Sequence, residues 1–232
     1  MTTTRRARLG SVALVVGAGL LTGCGVAGTD FHPGVAAEVG DQTLSTDRLD
    51  DLVTDYCTFV ADNPSPEQPV RARYGYRSEL VSILVRRAAV EQAAAQYDAE
   101  PGAAYATQVA DLERTFATLP EGQQEALVTI NEALLYGFEG QVAIGQAVLS
   151  ADGETEPDPA VAEARGAEVV ADWIDSHDIE INPEYGLQVD GAELTPTDQH
   201  LSYAAGDSAQ AGQADEPDPA YIDSLPVSQR CG

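Results

Sequence analysis

The chain has 232 residues, with 38 acidic against 12 basic side chains and a formal charge of −26. That balance works against binding to DNA, RNA or anionic lipid headgroups, because like charge repels before a specific contact can form. The length allows one ordinary domain with a genuine core, or two small ones.

Arg5, Arg6 and Arg8 precede a 13-residue run of small and apolar residues, Leu9 to Leu21. A helix needs roughly 20 such residues to span a bilayer. The short run and its basic flank fit a cleaved export signal instead. Leu21-Thr22-Gly23-Cys24 closes it and looks like a bacterial lipobox, in which the Cys24 thiol receives a diacylglyceryl group. Cleavage after Gly23 would make Cys24 the lipidated first residue, and two acyl chains hold a protein stably on a membrane. The alternative is an ordinary secretory signal with an incidental cysteine. The expectation is a lipoprotein on the outer face of the bacterial cytoplasmic membrane, with a signal peptide at 1–23 and a flexible tether at 24–34. Without residues 1–23 the chain keeps 9 arginines and no lysine against 38 acids, a formal charge of −29. Lysine-based covalent chemistry is thereby excluded.

Val35 to Val39, Gly40-Asp41 and Gln42 to Leu44 form a small β-hairpin or an extended stretch with a tight turn. Ser45 and Thr46 are good N-cap residues, and Asp47 suits a first helical turn. Leu49, Leu52, Val53, Tyr56 and Val60 then recur at helical spacing. Asn63-Pro64-Ser65-Pro66 ends that helix. A second helix is expected from near Pro69 to about Tyr97, with Leu80, Ile83, Leu84 and Ala88 on one face. Pro101-Gly102 separates it from a third helix through Val109, Leu112 and Phe116. Pro120 suits the start of a fourth, whose stripe is the cleanest in the chain: Leu127, Ile130, Leu134, Phe138, Val142, Gly145 and Leu149. After an acidic linker, Asp158-Pro159 opens a fifth helix carrying Val170, Trp173, Ile174 and His177. Ile179-Glu180-Ile181 alternates like a strand, and Asn182 to Gly186 is a turn.

From Gly191 the composition shifts to Ala, Gly, Gln, Asp and Pro, which reads as an acidic, partly disordered tail over 191–232. Glu216-Pro217-Asp218-Pro219-Ala220 repeats residues 156–160 letter for letter, a second use of one helix-start grammar. A short helix through Tyr221, Ile222 and Leu225 is expected to dock on the body and bring Cys231 to Cys57. In an oxidising compartment such an even pair usually forms a disulfide.

Charge is unevenly placed. Arg71, Arg73, Arg77, Arg86 and Arg87 fall in the second helix, whereas residues 151–232 hold 19 acids and only Arg165 and Arg230. Either the acidic end folds onto the basic helix, or each arginine has its own local partner; the second is expected.

No pattern assigns a reaction. His32, His177 and His200 are dispersed, and there is no Cys-x-x-Cys, phosphate loop or Gly-x-Ser-x-Gly elbow. Asp152 to Glu163 imitates a calcium loop but has Pro157 where the turn needs glycine. His177 fits the negative end of a helix dipole. No enzyme activity, metal or cofactor is expected.

Residues 35–45, from Val35 to Ser45, resemble the opening of the SurA N-terminal-like chaperone domain, where two short strands lead into a capped helix. Ile179 to Gly186 is similar to the strand and turn after the last helix in exported members. The two matches bracket about 150 residues of helical sequence. The resemblance implies a mainly α domain over 35–190, about five helices with short strands where its ends meet. It implies binding of unfolded or partly folded exported polypeptides. The parvulin isomerase often inserted before the final helix is absent, since only the acidic linker stands at that place. A client groove between helices, lined by Tyr74, Tyr76 and Phe116, is the expected site. The rival expectation is a non-catalytic docking or scaffold lipoprotein of an envelope complex that uses its acidic tail.

Overall fold

The computed structural model describes residues 33–65, 70–197, 206–212 and 217–232. The expected signal segment and lipidation at Cys24, most of the expected tether, Pro69 and His200 lie outside the described residues. All described residues belong to one compact unit, His32–Gly232. The fold is mainly α, with five long helices and a few short strands.

Strands β1 (Val35–Val39) and β2 (Gln42–Ser45) form the expected hairpin, with Val39 opposite Gln42. Its two-residue loop has a positive φ of 55° at Gly40, the arrangement in which glycine takes the first central position. Ser45 then caps α1 (Thr46–Asp62) by accepting the Arg48 amide at 3.2 Å. Strand β4 (Ile179–Ile181) pairs antiparallel with β1 on its other side, so the two ends of the helical region share one sheet.

Helix α2 (Arg73–Ala95) is the centre of the molecule. Ten of its 23 residues are buried, from Tyr76 through Leu80, Val81, Leu84 and Val85 to Ala94. A helix apolar on most sides must be enclosed. It starts later than expected because Arg71-Ala72 forms strand β3, paired with the C-terminal strand β7 (Arg230–Cys231). Gln92 pins the hairpin loop to α2: its Nε2 donates to the Val39 carbonyl at 2.6 Å, and its Oε1 accepts from the Asp41 amide at 3.2 Å.

Helix α3 (Ala103–Phe116) packs on α4 (Glu121–Ala151) and buries no residue fully. At 31 residues, α4 is roughly 46 Å long. Helix α5 (Pro159–Ser176) crosses it at backbone contact. A methyl group at Gly145 would stand 1.7 Å from the Ala162 carbonyl oxygen, and one at Gly166 1.8 Å from that of Gln141. Only glycine permits that approach. Beyond the crossing, Val170, Trp173 and Ile174 enter the core, and His177 stacks on Trp173 at 4.1 Å between ring centres.

Asp158 accepts the Ala160 amide at 2.9 Å, and Asp218 accepts that of Ala220 at 2.7 Å, starting α5 and α7 (Pro219–Ser224) alike. Across the point where the loose tail was expected to begin, β5 (Leu187–Asp190) and β6 (Glu193–Pro196) form a second hairpin. The expected boundary at 190/191 therefore cuts through a turn and is corrected. Its inward residues Leu187, Val189 and Leu194 pack on the core, which is why this stretch is ordered. The helix α6 (Asp207–Gly212) precedes α7, whose Ile222 is buried. Cys57 and Cys231 form the expected disulfide across 174 residues. The chain-entropy account gives such a loop about 5 kcal/mol, as an upper figure.

Candidate functional site

The fourth-helix stripe divides on folding. Leu127 and Val142 are buried, but Leu134 is 54% and Phe138 47% exposed. What neighbours α4 at each level explains the division. Its first turns meet α1 through Gln123–Asp62, at 3.0 Å, and Glu125–Arg48, at 2.8 Å. Its last turns are covered by α5. Against α2 it presents small residues: Gly140 lies directly under Val90, and the buried Ala133 shares a groove with Ile83. The large side chains Leu134, next to Ala133, and Phe138, one turn further on, are left facing out.

They form one wall of a groove of about 270 Å³ between α2 and α4. Ile83 lies on the α2 side, Ala133 and Gly137 form part of the α4 side, and Ser82, Arg86 and Gln141 supply its polar groups. Among the described residues no carboxylate pairs with Arg86, so the rim carries a cation in a strongly acidic protein. A shallow apolar trough with polar edges can take up one or two hydrophobic side chains of an extended chain while leaving its backbone solvated.

The residues expected to line a client groove do not meet in one. Tyr76 is buried at 8% exposure, packed on Tyr56 and beneath the Arg71 guanidinium. Tyr74, two residues earlier, points the other way and donates its hydroxyl to the Gly212 carbonyl at 2.6 Å. Phe116 belongs to the half-buried face of α3 with Val109 and Leu112. Burial takes Tyr76 into the core, and the docked C-terminal segment takes the hydroxyl of Tyr74. Leu134 and Phe138 were visible in the sequence as a helical stripe, but a stripe does not say what covers it.

Of the five arginines expected in the second helix, three have acidic partners on the body: Arg71 of β3, and Arg77 and Arg87 of α2. Arg71 meets Glu79 at 3.0 Å, Arg77 meets Asp50 at 3.0 Å and Glu184 at 3.6 Å, and Arg87 meets both Glu91 and Glu132 at 3.3 Å. Among the described residues no acid after position 190 pairs with them. Arg87 also stands over the Tyr136 ring, and Tyr105 of α3 donates its hydroxyl to the same Glu132. Burial, and then that carboxylate, raise the Tyr105 phenol well above its ordinary value. This polar cluster holds α3 against α4.

Among the described residues no three His, Cys, Asp or Glu side chains group closely enough to hold a metal ion, and no helix is long and apolar enough to cross a membrane. Comparison with known proteins returns no matching family model, no similar curated protein and no similar solved structure.

Proposed function

We propose that this chain is an exported lipoprotein, anchored through Cys24, whose helical body holds unfolded or partly folded polypeptides without catalysing a reaction. The observation that carries the reading is the exposed Leu134 and Phe138 pair beside Ile83 in the α2–α4 groove. Scattered exposed apolar residues are ordinary, whereas a pair one helical turn apart against a groove is a place for another chain's side chains. The charge of −26 supports holding rather than co-aggregation, since it keeps a loaded complex soluble. The likeness of residues 35–45 and 179–186 to the SurA N-terminal-like domain points the same way. Docking through a free acidic tail has less support, because the chain's end is held at Cys57 by the disulfide.

The test is suppression of aggregation of a chemically denatured protein, comparing the unaltered chain with a Leu134→Ser, Phe138→Ser double variant. Suppression by the first and its loss in the second, with both equally folded by circular dichroism, supports the reading. Equal activity in both, or none in either, refutes it.

A further inference from the structure

The first turn of α2 contradicts the electrostatics of helices. It carries Arg73, with Arg77 in the next turn, no acid and no capping side chain, at the end where the helix dipole is positive. Departures of this kind without local compensation mark sites where something else supplies the missing charge. A cleft of about 610 Å³ opens beside this turn, within the range of small-molecule sites. Its walls are Asp50 and Thr54 of α1, Arg73, Tyr74 and Arg77 of α2, and Tyr221 of the docked C-terminal segment.

The two arginines are not equivalent. Arg77 is occupied by Asp50 and Glu184. Arg73 donates to the neutral Thr54 hydroxyl and, among the described residues, meets no carboxylate. A guanidinium has five donors in a planar fork, so most of its capacity to bind an anion is unspent. Asp50 and Glu184 are both engaged with Arg77, so among the described residues Arg73 is the cleft's one guanidinium without a carboxylate, a single unmet positive charge. A monoanion cancels that charge; a dianionic phosphate would overshoot it in an already acidic protein. In the same cleft, Tyr74, Tyr221 and Leu225 provide apolar and ring surface. Burial, and then nearby Tyr221, raise the Tyr74 phenol, so it stays neutral and holds Gly212 across the cleft's edge.

We infer that the cleft between α1, the start of α2 and the disulfide-held C-terminal segment binds a monocarboxylate with an apolar or aromatic body, the carboxylate on Arg73 and the body against Tyr74, Tyr221 and Leu225. The site is separate from the α2–α4 groove and does not rest on client holding. Two sources share this chemistry: the C-terminal carboxylate of a polypeptide and a free small acid.

Calorimetric titration of the full chain in mild detergent tests it with three probes. These are an N-acetylated tripeptide ending in leucine with a free carboxylate, the same tripeptide amidated, and 3-phenylpropionate. Loss of a charge-assisted hydrogen bond weakens binding by about tenfold or more. At least one of the two acids is expected to bind. The peptide acid alone assigns the site to chain ends, and 3-phenylpropionate alone assigns it to small acids. Arg73→Gln should weaken the bound acid by about tenfold or more, and Arg165→Gln, on α5 and outside both grooves, should leave it unchanged. Amidation should weaken the peptide likewise, a comparison on the unaltered chain that needs no variant to fold. Equal binding of peptide acid and amide, no effect of Arg73→Gln in a folded variant, or no binding of either acid up to about 10 mM overturns the inference.

Discussion

Helices α5 and α3 both pack on α4, and they do so by opposite means. Helix α5 reaches backbone contact through Gly145 and Gly166 and then commits Val170, Trp173 and Ile174 to the core. Helix α3 buries no residue and is held by a half-buried face, the Tyr105–Glu132 bond and an edge-on contact of Tyr105 with Tyr136 at 5.7 Å. The first contact is short-range and apolar, so it gives little before it breaks. The second depends on a few polar groups and opens at lower cost. Stability therefore concentrates where α4 meets α2 and α5, and the apolar side chains left uncovered lie in the middle of α4.

The largest expected effect lies on the α5 side. Trp173→Ala leaves a cavity beside Ile174 and His177 and should lower the unfolding free energy by about 3–5 kcal/mol in a urea titration. Gly166→Ala should cost about 1–3 kcal/mol, since the helices must move apart to admit one methyl group. The same exchange at Gly137, where an added methyl meets nothing within 4 Å, should instead stabilise α4 by about 0.5–1 kcal/mol. If both glycines behave alike, the close crossing is not what orients α5.

On the α3 side the effects are smaller and local. Tyr105→Phe should cost about 1 kcal/mol and raise amide exchange across Ala103–Phe116 while α5 is unchanged. Its pH dependence has a defined sign. The folded phenol titrates above its ordinary value of 10.0, so its contribution is intact below that pH. It is lost as pH climbs from there toward the raised folded value. Thermal melts of the Phe variant between pH 8 and 11 should accordingly show a shallower alkaline decline than the unaltered chain.

Local grammar was readable in advance where the chemistry is local. Ser45 as a cap, the Asp-Pro starts of α5 and α7, the short apolar run of β1 before Gly40 and the alternation of β4 each follow from a few neighbouring residues. The pairing of Cys57 with Cys231 followed from compartment and count. The second hairpin carried the same signal as the first, a glycine at the turn in Asp190-Gly191 between alternating residues, and the surrounding Ala, Gly and Gln obscured it. The pairing of Arg71-Ala72 with Arg230-Cys231 is too short and too distant in sequence to leave a pattern. Gly166 stood inside a helical pattern, where an isolated glycine marks a close approach. The candidate groove was half legible: periodicity named Leu134 and Phe138 as one apolar face, and only the placement of α1, α2 and α5 shows that its middle has no cover.

The most direct test of that uncovered face places a benzophenone photocrosslinking residue at position 138, and separately at position 161. Val161 is an equally exposed apolar residue, at 51%, on α5 and outside the groove. With a denatured polypeptide present, the account predicts crosslinks from position 138 and few from 161. Equal yields from both positions, or a preference for 161, would contradict the assignment of the α2–α4 groove as the surface that holds another chain.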